Sequence, residues 1–351
     1  MPSRNARILD WVIKKVEASY SDDVCMLAVY GSYVNRTEGP MSDVDFYYVP
    51  ASDRASDLSR TFIIGGIGYD LWPMSWERLE GLAALTEPLI PLLGDSEIAY
   101  CRSDDDRNRF GALRQALRRN LADAAFMHRK AVDTLSRAVG EWRRLIATDS
   151  LGDCRLHAGR ILLKLADAVA YENQTYFRQG LKKQLRDLQA MPRLPLGFLD
   201  GYLSIVEART GGHLKGACET LLTTTAAWLD CDITAAYHPE GPDAPPPPLQ
   251  AIDFGQLAED YGEVISSFNK VYAFCESGDA PPAFISAVCL QEPLSDVFSG
   301  IDLDVLSAYD AADLCRYADH VRGVEAKLVT FIESGAPITR YASVDEFLNR
   351  N

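Results

Sequence analysis

Five residues in the first part of the chain have the types and spacing needed for chemistry on phosphates. Gly31 and Ser32 follow an apolar run, Asp43 and Asp45 lie two residues apart, and Asp70 lies on a later apolar run. Side chains two apart on a strand project from the same face. Two such carboxylates, joined by a third from a neighbouring strand, form the oxygen-rich ligand set that Mg²⁺ binds. The pattern predicts a magnesium site of the kind that transfers a nucleotide.

Two strands are predicted to position the aspartate pair. The run Cys25–Tyr30 is apolar throughout, which is typical of a buried strand. Residues 43–49 alternate, with apolar residues at the even positions and Asp43, Asp45 and Tyr47 at the odd ones. This alternation predicts a second strand with one polar face.

The Gly31-Ser32 turn leads from the first strand into a predicted helix. Backbone N–H groups at such a turn bind phosphate, and glycine lets the chain approach a ligand closely. We therefore expect Gly31 and Ser32 to hold a triphosphate, with Asp43 and Asp45 binding magnesium between it and the attacking hydroxyl.

Asp70 is predicted to lie on the second strand of a hairpin that turns at Gly65-Gly66. Its neighbours Tyr69 and Leu71 point to the opposite face, so Asp70 can complete the metal site and orient or deprotonate the hydroxyl. In the alternative, Asp43 and Asp45 face solvent from an edge strand and Asp70 caps a turn. That alternative leaves unexplained why all three acids lie opposite apolar residues.

The chain changes character at about residue 103. A helix capped by Ser75 and a strand Glu97–Cys101 complete the first part. Three aspartates then begin a series of long helical patterns, as suits the positive end of a helix dipole. The sequence therefore predicts an α+β protein with two domains, a mixed β-sheet with flanking helices over 1–103 and an all-helical domain over 104–351.

Composition limits the partners and the location. The net charge of −15 disfavours nucleic-acid binding, which requires a basic surface, and suits a cationic small molecule. No window has the roughly 18 uncharged apolar residues needed to span a membrane. The eight cysteines include no C-x-x-C pair, so we expect reduced thiols in a cytoplasmic protein. The sequence leaves open whether one chain or a homodimer forms the site.

The first hundred residues resemble the nucleotidyltransferase superfamily that includes DNA polymerase beta. The pattern of that superfamily is Gly-Ser, a spacer of about ten residues, Asp-x-Asp between apolar residues, and a third carboxylate on a later strand. All of its elements occur here in order, as Gly31-Ser32, Asp43-Val44-Asp45 and Asp70. The resemblance implies that Asp43, Asp45 and Asp70 are both the catalytic residues and the Mg²⁺ ligands.

The order of the two predicted domains is similar to that of the bacterial nucleotidyltransferases that modify aminoglycoside or lincosamide antibiotics. In that family the helical domain completes the cleft and can contact the nucleotide phosphates. The best match here is the polar stretch 171–183, with Asn173, Tyr176 and Lys182 as nucleotide-binding residues. Asn173 and Tyr176, three apart, would share a helix face. For its cations, Arg178 among them, the alternative is a solvated helix face.

The function expected from these patterns is magnesium-dependent transfer of a nucleoside monophosphate, AMP from ATP, to a hydroxyl of a small antibiotic-like acceptor, with release of pyrophosphate. ATP, or another nucleoside triphosphate, would be the co-substrate. Two alternatives stay open. One is an enzyme that adenylylates a protein, as in toxin–antitoxin pairs, and the other is a nucleotide-binding module without activity.

Overall fold

The β-sheet of this protein gathers strands from both ends of the sequence. The computed structural model describes residues 3–39, 41–180, 183–232, 252–298 and 300–351. Within these residues the strands are β1 (Val24–Tyr30), β2 (Asp45–Pro50), β3 (Arg60–Ile64), β4 (Ile67–Pro73), β5 (Glu97–Cys101) and β6 (Arg340–Tyr341). They form one mixed sheet in the order β5-β1-β2-β4-β3-β6.

Helices cover both faces of the sheet and make up most of the remaining described chain. The helices up to β5 are α1 (Arg4–Ser19), α2 (Gly31–Val34), a 3₁₀ helix (Asp53–Leu58), α3 (Trp76–Ala83) and α4 (Pro91–Gly94). Those after it are α5 (Asp104–Ala122), α6 (Ala124–Ala147), α7 (Leu151–Glu172), α8 (Gln184–Gln189), α9 (Phe198–Val206), α10 (Gly211–Trp228), α11 (Phe254–Ser277), α12 (Ala280–Asp296), α13 (Leu314–Glu333) and α14 (Val344–Arg350). The predicted α+β class is confirmed.

Local signals in the sequence explain where several helices begin. The hydroxyl of Ser75 accepts a hydrogen bond from the backbone N–H of Arg78 at the start of α3. The hydroxyl of Ser103 likewise accepts from the backbone N–H of Asp106 at the start of α5. None of the helices in the described residues is long and apolar enough to cross a membrane. All eight cysteines are free thiols.

The two faces of the sheet pack against different parts of the chain. Leu27, Phe46 and Leu71 belong to a core shared with α1 and α14. Met26 and Tyr47 belong to the larger core shared with the long helices. The prediction of one polar face on β2 is therefore wrong, because Tyr47 is buried there and its hydroxyl donates to the carbonyl of Leu92 at 2.8 Å.

The strand that carries the aspartate pair begins later than predicted. Its first residue is Asp45, and Asp43 belongs to the segment leading into it. The hairpin of β3 and β4 turns at Gly65-Gly66 as predicted, with positive φ at both glycines. Tyr69 and Leu71 face the α1 side of the sheet, which leaves Asp70 on the opposite side.

Helix α11 packs directly on this hairpin through two glycines. A Cβ atom added at Gly68 of β4 would overlap with the carbonyl oxygen of Gly262, and one at Gly262 would lie 2.9 Å from the Cβ of Thr61. Hydrogen bonds hold the contact, since the Thr61 hydroxyl donates to the Glu259 carbonyl and Asn269 Nδ2 donates to the Gly66 carbonyl, at 2.8 and 2.9 Å. Glycine at both surfaces lets the helix lie beside Asp70.

The last part of the chain returns to the sheet. β6 pairs parallel with β3, where Ile63 is opposite Arg340. Phe347 of α14 packs against Trp11 of α1. The prediction that 104–351 is all-helical is wrong at this point, because β6 extends the sheet of the first part. The domain boundary at residue 103 stays a prediction.

Candidate active site

Asp45 and Asp70 lie next to each other because their strands run parallel. Phe46 of β2 is opposite Leu71 of β4, so the preceding residues of the two strands, Asp45 and Asp70, lie side by side. Both alternate with residues buried on the α1 side, and both point toward the long helices. The strands bring these two carboxylates to one cavity.

Asp43 reaches the same cavity from the segment before β2. Its Oδ2 atom lies 3.3 Å from the Oγ of Ser266 on α11. The same hydroxyl lies 3.2 Å from the carbonyl oxygen of Gly68, so its single proton can be donated to only one of these acceptors at a time. Helix α11 is therefore in contact with the segment that carries Asp43 as well as with β4.

Gly31 lies directly against Asp45. The antiparallel pairing of β1 with β2 places Tyr30 opposite Asp45, and the chain then turns at Gly31 with φ of 75°. A Cβ atom at this position would overlap with the Asp45 carboxylate. Glycine is required at this position for two reasons, the positive φ and the close approach of the backbone to the Asp45 carboxylate.

The cavity lies between the sheet and α11 and has a volume of about 140 Å³. Besides the three aspartates it is lined by Tyr30 of β1 and by four polar or charged residues of α11, which are Glu263, Ser266, Ser267 and Lys270. These α11 residues are not predicted from the sequence. They are about 200 residues from Asp70 in the sequence, and only the packing of α11 on the hairpin brings them to the site.

Negative charge accumulates around Asp70. Burial raises the pKa of the Asp70 carboxyl to about 7, with further contributions from the nearby Glu263 and Asp45. Burial also raises the pKa of Glu263, and Asp260 adds to that shift. The phenol of Tyr30 accepts a hydrogen bond from Trp72 Nε1 at 3.4 Å. Burial and then Asp45 raise the pKa of Tyr30 well above its usual value, so it stays protonated beside the acids.

We predict that Asp70→Asn stabilises the protein at pH 8 in EDTA and has little effect near pH 4. The Asp70 carboxyl has a higher pKa in the folded protein than in the unfolded chain. The free energy of unfolding therefore falls as pH rises from about 4 to about 7, and this loss of stability is complete above that range. Asparagine does not titrate and avoids this penalty. After a discount for partial exposure, we expect Tm to rise by about 2 °C at pH 8.

The measurement is thermal unfolding of both proteins across this pH range. A Tm difference that is equal at pH 5 and pH 8 would contradict the prediction, because a packing effect of the amide does not depend on pH.

The donor set fits a magnesium ion by its chemistry. Asp43, Asp45 and Asp70 present carboxylate oxygens to one cavity, and Mg²⁺ binds through one or two carboxylates together with water and phosphate oxygens. In the described part of the chain, no three His, Cys, Asp or Glu side chains already form a group that could enclose a metal ion. The three carboxylates therefore line the cavity without being close enough together to enclose an ion. Rotation of their side chains would have to bring them closer around it.

The structure does not bring Asn173 to the cavity, whose lining does not include it. Helix α7 ends at Glu172, and Asn173 is its C-cap. The prediction that Asn173 and Tyr176 share one helix face is wrong for this reason. The side-chain amide of Asn173 donates to the carbonyls of Val169 and Arg193, both at 2.8 Å. In this structure Asn173 caps a helix.

Tyr176 also lies outside the cavity lining. Its hydroxyl donates to Asp95 Oδ2 at 2.7 Å, and Arg178 Nη1 donates to Asp95 Oδ1 at the same distance. Asp95 comes just before β5, so this pair ties the segment after α7 to the sheet. Lys182 lies outside the described residues, and its predicted role stays a prediction.

Comparison with known proteins finds similarity to solved structures. No protein-family model and no curated protein sequence matches the chain. A crystal structure of a nucleotidyltransferase-like protein from Exiguobacterium sibiricum is similar over 63% of this chain and 74% of its own, with a TM-score of 0.37 and 13% identity. A similarity at this level does not assign a function, so the proposal below rests on the carboxylates and their surroundings.

Proposed function

We propose that this protein is a magnesium-dependent nucleotidyltransferase. It would transfer AMP from ATP to a hydroxyl of a small acceptor and release pyrophosphate. The observation that supports this proposal most is the convergence of Asp43, Asp45 and Asp70 on one cavity beside the Gly31 backbone. Three carboxylates next to a glycine turn suit the metal-assisted transfer of a phosphoryl group.

The three aspartates have distinct roles in the proposed reaction. Asp43 and Asp45, with Asp70, would hold Mg²⁺, which when bound neutralises phosphate charge and polarises the reacting phosphorus. Asp70 would also lie next to the acceptor hydroxyl, where a carboxylate can act as the general base. The acceptor oxygen bonds to the α-phosphorus, the bond to the bridging oxygen breaks, pyrophosphate leaves, and Asp70 takes the hydroxyl proton.

The phosphates would be held from two sides. Gly31 and Ser32 follow β1 next to Asp45, although they are not part of the cavity lining, and would offer backbone N–H groups. Lys270 of α11 lines the cavity and would offer an ammonium group. A cavity of about 140 Å³ is smaller than the roughly 300–1,000 Å³ of pockets that enclose a whole ligand. The proposed complex therefore has the phosphates inside and the nucleoside at the opening.

The acceptor we propose is a small cationic molecule of antibiotic-like chemistry. Glu263 adds a carboxylate to the three aspartates in the lining, and the whole chain carries a net charge of −15. Such a surface attracts amines, and it disfavours a nucleic-acid acceptor because binding along a phosphate backbone requires a basic surface.

The test is pyrophosphate release in the presence of Mg²⁺, with ATP, GTP, CTP and UTP each combined with a panel of hydroxylated amines. We expect release with ATP that depends on both the metal and an acceptor. A parallel incubation with radiolabelled ATP and a cell lysate detects transfer to a protein instead. Labelled protein without a small-molecule product would favour the protein-modifying alternative, and no transfer in either assay would contradict the proposal.

A further inference from the structure

Asn5 is a buried polar residue in the first turn of α1, only 3% exposed. Its amide nitrogen Nδ2 lies 3.0 Å from the carbonyl oxygen of Ser42 and 2.5 Å from Oε1 of Glu38, and donates to both. Its amide oxygen Oδ1 accepts a hydrogen bond from the hydroxyl of Tyr69 at 2.9 Å. The side chain thus connects the segment between β1 and β2 with strand β4.

The two ends of this connection are the sequence neighbours of two aspartates in the cavity. The Ser42 carbonyl belongs to the peptide group that precedes Asp43. Tyr69 is the residue before Asp70 on β4, and because strand residues alternate, its side chain points to the α1 face while Asp70 points to the cavity. From the opposite face of the sheet, Asn5 therefore bonds to both segments that carry these carboxylates, the one before Asp43 and the strand of Asp70.

An amide suits this position better than any similar side chain. It donates twice, to Ser42 and Glu38, and its oxygen accepts from Tyr69 and, at 3.4 Å, from Arg4 Nε. Aspartate would accept from Tyr69 but would leave the Ser42 carbonyl without this donor and place a second negative charge beside Glu38. Tyr69 stays a donor at all moderate pH values, because burial raises its pKa to about 12.

The segment that carries Asp43 has a second tie to α1. The guanidinium of Arg4 also donates to the Ser42 carbonyl, at 2.5 Å. Ser42 Oγ accepts a hydrogen bond from the backbone N–H of Gly39 at 2.8 Å. Asn5 also bonds to the hydroxyl of Tyr69, the β4 residue next to Asp70, and the guanidinium of Arg4 interacts with the same phenol.

We propose that Asn5 is a positioning residue, which sets the distance between Asp43 and Asp70 and so prepares the carboxylates for a divalent cation. This inference rests on the proposed function, because it presumes that these aspartates bind metal. Asn5 itself lies on the opposite face of the sheet and does not touch the substrates. Residues that orient metal ligands in this way typically change metal affinity by about 10- to 100-fold when replaced.

The test is a titration of the full chain with Mn²⁺ in the absence of nucleotide. Electron paramagnetic resonance measures the binding. We expect Asn5→Asp and Asn5→Ala to raise the Kd for Mn²⁺ by about 10- to 100-fold. Tyr69→Phe keeps the ring that stacks on Phe62 and removes only the hydroxyl, so it should weaken binding in the same direction while folding normally. Hydrogen exchange at residues 36–44 should be faster in all three variants.

The matched control is Asn120→Ala. Asn120 Nδ2 donates to the Ala83 carbonyl at 2.8 Å, a partly buried amide-to-carbonyl bond of the same kind between α5 and α3. This variant should lose comparable stability and keep the wild-type Kd for Mn²⁺.

The possible results separate the two proposals. Wild-type Mn²⁺ affinity in Tyr69→Phe and in a folded Asn5 variant would overturn the role of Asn5, as would a wild-type protein that binds no Mn²⁺. A wild-type protein that binds Mn²⁺ but releases no pyrophosphate with any acceptor would contradict the proposed transfer. The comparison of Kd values would still decide the role of Asn5 in that case.

Discussion

Asp45→Asn should reduce metal-dependent pyrophosphate release by about 1,000-fold while leaving the fold intact. The substitution keeps the size of the side chain, and Asp45 sits where β1, β2 and β4 bring Gly31 and Asp70 against it. Replacing a charged metal ligand by a neutral amide removes several kcal/mol of transition-state stabilisation, and about 4 kcal/mol corresponds to that loss of rate. The measurement is the initial rate of pyrophosphate release at saturating Mg²⁺ and ATP.

The control for this variant is Asp105→Asn. Asp105 is an exposed aspartate in the first turn of α5, so its replacement makes the same chemical change away from the cavity. Its rate should match that of the wild type. If Asp45→Asn retained more than about a tenth of the wild-type rate, Asp45 would not be a metal ligand in the reaction.

Gly31→Ala should lower the rate by about 100-fold and the free energy of unfolding by about 2 kcal/mol. Two effects combine here, because a side chain at φ of 75° is strained and because its Cβ atom would overlap with the Asp45 carboxylate. Relief of that overlap must displace either Asp45 or the end of β1. Rates and denaturant unfolding curves of the purified variant measure the two losses.

Gly66→Ala separates strain from overlap. Gly66 has nearly the same φ, 79°, but a Cβ atom there would meet nothing within 4 Å. We expect this variant to lose only about 1 kcal/mol of stability and none of the activity. Equal activity losses in Gly31→Ala and Gly66→Ala would mean that backbone strain, and not the contact with Asp45, explains the effect.

The strands and the three aspartates could be predicted from the sequence because the signals are local. A continuous apolar run gave β1, and a glycine pair gave the hairpin that carries Asp70. Alternation predicted which side of its strand Asp70 would occupy. The parallel pairing of β2 with β4, which makes Asp45 and Asp70 neighbours, depends on contacts between distant segments that no local pattern encodes.

The contribution of α11 was missed for the same reason. The sequence pattern of α11 predicts a helix, but it does not predict the surface against which this helix packs. One signal was present, since small or polar residues recur at positions 259, 262, 266 and 269, the spacing of one helix face. Gly262 and Asn269 of this stripe contact the hairpin, so here the stripe marks the face of α11 that packs on it.

The error at Asn173 has a local cause. The apolar periodicity of α7 continues up to residue 172 and was extended by one turn too many. Asparagine often ends a helix, and Gln174 adopts a positive φ of 55°. These two residues turn the chain out of the helix, and Tyr176 donates to Asp95 instead of sharing a helix face with Asn173.

The pairing of β6 with β3 has a consequence for how the protein folds. Ile63 meets Arg340, so this pair closes a loop that contains the whole series of long helices. Loop-closure entropy rises by only about 0.6 kcal/mol for each doubling of length, so the long separation matters more for timing than for stability. Until β6 arrives, β3 presents an open edge that can pair with another molecule. This two-residue strand therefore covers the part of that edge at Ile63 and Ile64.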